Sequence, residues 1–175
     1  MKKDNRLILV SGTGRDSGKT TLICKIIHFL KDKYDVFALK ITTHEHGTNK
    51  HMPDFRGEGY SIWVEHTAPE GKDTWRMIQA GAKLVVYVEC LPQKMTDAYR
   101  IISKLLPDNG YILCESGGLR QEIKPAAFFM ADNGKTPKES ALELLPLANH
   151  VFSLSKIQLF SEKDIEKLLS PYIQL

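Results

Sequence analysis

At 175 residues, with 42% hydrophobic and 26% charged side chains, the chain has the size and composition of one globular domain over 1–175, not of a two-domain enzyme. Its 24 Lys and Arg against 21 Asp and Glu give a net charge of +3. These charges are scattered, not gathered into a tail or stripe, which leaves nucleic-acid binding without electrostatic support. Cys24, Cys90 and Cys114 are odd in number and far apart, so they read as reduced thiols and not as a disulfide framework. The apolar run over 7–10 is too short for a signal peptide or a membrane span, and a cytoplasmic protein is expected.

Short apolar runs alternate with helix-length amphipathic segments along the chain. That pattern predicts an α/β fold with three layers, a largely parallel central sheet flanked by helices. Strands are expected at 7–10, 36–40, 84–89, 111–115 and 151–155, with a weaker one at 126–130. Helices are expected at 18–33, 74–80, 97–106, 138–145 and 162–169. Thr96 is placed to cap the third of these helices, and Ser161 with Asp164 forms a capping-box signature for the last.

Directly after the first strand comes Ser11-Gly12-Thr13-Gly14-Arg15-Asp16-Ser17-Gly18-Lys19-Thr20-Thr21, followed at once by an apolar-periodic helix. Glycines let a backbone curl so that its N–H groups converge on phosphates, and the helix N-terminus adds partial positive charge. Gly12, Thr13, Gly14, Ser17, Gly18, Lys19, Thr20 and Thr21 are therefore the candidate nucleotide-binding residues. Lys19 would reach the β- and γ-phosphates, and the Thr20 hydroxyl would hold Mg²⁺. The loop is a variant, because Gly12 stands one residue further from Gly18 than the usual spacing and Thr13 occupies the expected glycine position.

Ligands in parallel sheets gather outside the carboxyl ends of the strands. Glu115 ends an apolar strand there, with Gly117 and Gly118 behind it, and is read as a second Mg²⁺ ligand with backbone able to close on a γ-phosphate. Lys40 ends the second strand on the same edge and is a candidate contact for phosphate or an anionic substrate. For the residue that orients water, Asp16 and the acids of the following segment both stay open.

Residues 41–73 read as a long insertion rich in His, Gly, Pro and charge, with only 60–64 suggesting a strand. His44 and His46, with Glu45, His51 and His66 nearby, suit either a transition metal or an anionic ligand or partner. Next comes Gly71-Lys72-Asp73-Thr74-Trp75-Arg76, leading to Ala80-Gly81-Ala82. Asp73 or Thr74 would cap a short helix that Gly81 ends. Capping accounts for the ends of that helix but not for Gly-Lys-Asp itself or for Arg76.

Taken together, the 12–21 loop, Phe37-Ala38-Leu39-Lys40 with its His-rich sequel, and the Gly-Lys-Asp to Ala-Gly-Ala block resemble the molybdopterin-guanine dinucleotide biosynthesis protein B (MobB) family of P-loop GTPases. The agreement in order and spacing runs over roughly residues 6–120. The resemblance implies a homodimeric, Mg²⁺-dependent GTP-binding protein of low intrinsic turnover, with a protein partner in molybdenum cofactor biosynthesis. It also implies that Lys40, His44 and His46 lie near the nucleotide or that partner. The wider spacing after Gly12-Thr13 is similar to dethiobiotin synthetase, an ATP-dependent ligase, and Glu115-Ser116-Gly117-Gly118 is similar to the urease metallochaperone GTPase. A guanine-reading loop would show Asn-Lys-x-Asp after a late strand, whereas Ser155-Lys156-Ile157-Gln158 stands there, so ATP stays open beside GTP.

Overall fold

The computed structural model describes residues 1–43 and 51–175. Strand β1 (Lys2–Gly12) leads through the glycine-rich loop into helix α1 (Lys19–Leu30), which is followed by β2 (Val36–Thr42). A hairpin of β3 (Phe55–Gly57) and β4 (Tyr60–Glu65) comes next, then α2 (Asp73–Ala80), β5 (Leu84–Cys90) and α3 (Met95–Leu105). The rest runs β6 (Tyr111–Ser116), α4 (Leu119–Glu122), β7 (Ile123–Asp132), α5 (Glu139–Leu142), β8 (His150–Ser153), α6 (Leu154–Leu159) and α7 (Glu162–Leu169).

The strands form one eight-stranded sheet in the order β3-β4-β5-β2-β6-β1-β7-β8. From β5 to β8 every neighbouring pair is parallel, while β4 runs antiparallel to β5 and β3 antiparallel to β4. The expected three-layer α/β architecture is what the chain adopts. Strand alternation splits β1 between two cores. Leu7 and Leu9 join Met95, Tyr99 and Ile102 of α3 on one face. Ile8 and Val10 join Leu22, Ile23, Ile26 and Ile27 of α1 and Leu168 and Leu169 of α7 on the other. All four β1 side chains have no exposed surface, which is why the strand reads as a continuous apolar run and not as an alternating one. Each such fully buried side chain contributes about 1.5–3 kcal/mol of transfer free energy.

Several elements differ from the sequence reading. The strand expected at 126–130 is the ten-residue β7, paired with both β1 and β8. The last strand stops at Ser153, because the Ser153 side chain accepts from the Lys156 N–H and caps α6 over residues expected to continue the strand. Thr96 does not cap α3; its hydroxyl donates to Glu122 at 2.9 Å, and Lys94 holds the N-cap position. The helix expected over 138–145 is the short α5, followed by a 3₁₀ turn at Leu145–Leu147 that contains Pro146. Within the 41–73 segment, the hairpin extends the sheet beyond β5. The Ser161–Asp164 capping box and the left-handed Gly81 at the end of α2 are as expected. Cys90 and Cys114 are buried free thiols and Cys24 is half-buried; burial pushes Cys24 and Cys90 up to about 11. No described helix is long and apolar enough to cross a membrane.

Candidate functional site

The glycine-rich loop leaves the carboxyl end of β1, in the middle of the parallel part of the sheet. A Cβ on Gly12 would lie 2.3 Å from Ser17 Oγ and 2.9 Å from Ala131 O, so the backbone approaches closely enough to require glycine. Gly18, at φ 97, is the N-cap of α1, where a Cβ would meet Leu154 of α6 at 2.8 Å. Asp16 is exposed and also left-handed, at φ 55.

Thr13, at the usual glycine position, is 2% exposed and fastened to the end of β7. Its N–H donates to Ala131 O at 2.9 Å, its hydroxyl donates to Asp132 Oδ1 at 2.8 Å, and it accepts from the Asn133 N–H at 3.3 Å. Asn133 Nδ2 donates to Arg15 O at 3.0 Å. Asp132 and Asn133 therefore brace the loop, a role hidden in the sequence by the 119 and 120 residues that separate them from Thr13.

Lys19 Nζ turns back onto its own loop, donating to Gly14 O at 2.9 Å and to Ser17 Oγ at 3.3 Å. Burial lowers its pKa against the raising influence of Glu115. One residue on, the Thr20 hydroxyl lies 2.7 Å from Glu115 Oε2 and 2.9 Å from Asp73 Oδ1. Lys40 Nζ donates to the other oxygen of each carboxylate, to Asp73 Oδ2 at 2.7 Å and to Glu115 Oε1 in a short contact. The Glu115 side chain is only 3% exposed. Burial alone would lower the Lys40 pKa, but Glu115 and Asp73 reverse the sign and raise it. Burial likewise opposes ionisation of Asp73, and Lys40 with Thr20 more than offsets it, so its pKa is lowered.

Sheet register builds the first half of this arrangement. Lys40 on β2 and Glu115 on β6 are direct partners, and Val10 of β1 stands opposite Glu115 on its other side. Helix α2 supplies the rest. Its N-cap is Lys72, so Asp73 is the first helical residue and its side chain serves the cluster and not the helix end. Arg76, one turn on, donates to Thr21 Oγ1 at 3.0 Å. Asp73 of the Gly-Lys-Asp segment and Arg76, which capping leaves unexplained, thus both reach hydroxyls in the first turn of α1. Asp73 is the site residue that sequence reasoning missed. Its signal was the Gly-Lys-Asp segment, with Gly71 at φ 84 turning the chain into the helix.

No family model, curated protein or solved structure matches the chain.

The remaining expected residues are less closely gathered. Gly118 is the N-cap of the short α4, and its N–H donates to Ser116 Oγ at 3.3 Å. Gly117 has open space where a side chain would project. His44 and His46 lie outside the described residues. His51 contributes its carbonyl to Trp63 Nε1 at 3.1 Å, and His66 is exposed. Among the described residues no three His, Cys, Asp or Glu side chains gather as a metal site. The oxygen donors that do converge are two carboxylates and a hydroxyl.

Proposed function

We propose that the chain is a Mg²⁺-dependent nucleotide-binding protein of the P-loop class, a GTPase of low intrinsic turnover that assists molybdenum cofactor biosynthesis as a cytoplasmic homodimer with a protein partner. The observation that carries the nucleotide reading is the convergence of Thr20, Lys40, Asp73 and Glu115 beside a glycine-rich loop at the carboxyl edge of a parallel sheet. The donor set fits a hard divalent cation, since Mg²⁺ takes oxygen ligands, and Thr20, Asp73 and Glu115 would hold it. Bound there, the ion supplies charge neutralisation on the phosphates. Loop N–H groups and the N-terminus of α1 receive the phosphate oxygens, and Lys19 exchanges its bond to Gly14 O for one to phosphate. Chemistry at such a site is positioning and charge stabilisation.

The MobB-like part of the reading draws support from the Gly-Lys-Asp block, whose Asp73 reaches Thr20. Calorimetric titration of GTP and ATP, each with and without Mg²⁺, tests it. Mg²⁺-dependent binding with GTP preference is expected, and absence of binding to either nucleotide refutes the proposal. A second reading, an ATP-dependent small-molecule ligase, is favoured by residues 154–159. They form α6, and its Gln158 lacks the carboxylate that would pair with guanine. ATP preference in the same titration selects it.

A further inference from the structure

Four carboxylate oxygens, from Asp73 and Glu115, converge on two donors. Thr20 Oγ1 lies 2.9 Å from Asp73 Oδ1 and 2.7 Å from Glu115 Oε2, while Lys40 Nζ takes Oδ2 and Oε1. Each carboxylate that would bind a divalent ion therefore already has one oxygen engaged by an ammonium. This pairing is not an accident of a long side chain reaching across a surface. Lys40 is register partner to Glu115 in the sheet, and its side chain is 20% exposed.

We propose that the Lys40 ammonium is a built-in placeholder that keeps divalent metal out of the Thr20–Asp73–Glu115 site until a nucleotide arrives. The proposal rests on the reading of this site as one for nucleotide and Mg²⁺. Charge balance carries it. Asp73 and Glu115 are paired with Lys40, with Lys19 and Arg76 close enough to act on them, so the cluster holds no excess negative charge without nucleotide, and a doubly charged ion entering alone meets carboxylates already bonded to an ammonium. A polyphosphate changes both terms, bringing several negative charges and offering Lys40 and Lys19 new acceptors. Metal and nucleotide then enter together, and Asp73, the first residue of α2, is held in place throughout by one cation or the other.

The test is Mn²⁺ binding to the full chain without nucleotide, followed by electron paramagnetic resonance. Lys40→Gln is expected to gain a single Mn²⁺ site roughly tenfold or more tighter than anything in the wild type, and the site is expected to vanish in Lys40→Gln/Glu115→Gln. Lys40→Arg, which keeps a cation between the carboxylates, is expected to behave as the wild type. Equal Mn²⁺ affinity in wild type and Lys40→Gln overturns the proposal. A second measurement needs no substitution at Lys40. The ¹⁵N signal of its side chain in the wild-type chain should be unmoved by Mg²⁺ alone and shifted by Mg²⁺ with a non-hydrolysable GTP or ATP analogue, and a shift with Mg²⁺ alone overturns the idea even if Lys40→Gln does not fold. Failure of the two readings is distinguishable: gain of the Mn²⁺ site by Lys40→Gln in a chain that binds neither analogue leaves the placeholder standing and removes the nucleotide.

Discussion

The Thr20 hydroxyl lies 2.7 Å from the Glu115 carboxylate, joining the first turn of α1 to the end of β6 across 95 residues. Glu115 is almost wholly buried, so both its charge and its hydrogen bonds have to be matched inside the protein. Glu115→Gln keeps the shape and removes the charge. The expected result is a loss of about 2 kcal/mol in stability, the scale of a charged hydrogen bond, and a weakening of Mg²⁺-dependent nucleotide binding much greater than that of metal-free binding. Denaturant unfolding and paired titrations measure the two effects, and equal weakening with and without Mg²⁺ removes Glu115 from the metal site.

Lys19→Ala separates binding from folding. Among the described residues the Lys19 ammonium bonds to its own loop, at Gly14 O and Ser17 Oγ. Mg²⁺-nucleotide affinity is expected to fall about a hundredfold or more, with the thermal midpoint nearly unchanged. Normal nucleotide binding by the variant contradicts the central reading of the loop.

Thr13 offers a test of the unusual loop spacing. Thr13→Val is nearly isosteric, removes the donor to Asp132 and the acceptor for Asn133, and leaves Asp132 short of a partner. A loss of about 1–2 kcal/mol is expected, which for a chain of this size lowers the thermal midpoint by about 2–8 °C. Nucleotide affinity should fall with it, since the brace sets the loop's shape.

The pH dependence of stability has two limbs with opposite causes. Lys40, whose pKa is raised above 10.5, contributes stability that is complete below that value and lost as pH rises through its folded-state pKa. Asp73, lowered below 3.8, contributes stability present above that value and lost as pH falls through its folded-state pKa. Lys19 shifts the other way from Lys40, so the alkaline limb is read from the difference between wild type and Lys40→Met. That difference is expected to shrink with rising pH above 10.5, and the difference between wild type and Asp73→Asn to shrink with falling pH below 3.8, both by thermal unfolding. A difference that stays flat on either limb contradicts the corresponding ion pair.

The parallel sheet was legible because β1, β2, β5 and β6 are buried on both faces and leave unbroken apolar runs in the sequence. Strand β7 was read short because Lys124 and Pro125 interrupt its pattern. Lys124 faces solvent, and the bulge between Asp4 and Ile8 of β1 adjusts the pairing beside Pro125. Loop residues and Glu115 were readable from local spacing at one sheet edge. Asp73 was not, because its partners Thr20 and Lys40 are remote in sequence and an acid at that position is also what a helix start calls for. Asp132 and Asn133 carried no sequence signal at all, since bracing a backbone needs only a short polar side chain in the right place.

The central position of β1 also bears on how the protein is made. β1 pairs with β6 and β7, so Leu7 finds Ile112 and Ile8 finds Ala127 only after most of the chain exists. On a ribosome β1 emerges without either neighbour, and its four core residues stay unpaired until β6, about a hundred residues further on, follows. Contacts of such long sequence separation slow folding. The glycine-rich loop, whose Thr13 is fastened to Ala131, Asp132 and Asn133, therefore cannot take its final shape until the end of β7 has been made, more than a hundred residues after the loop itself.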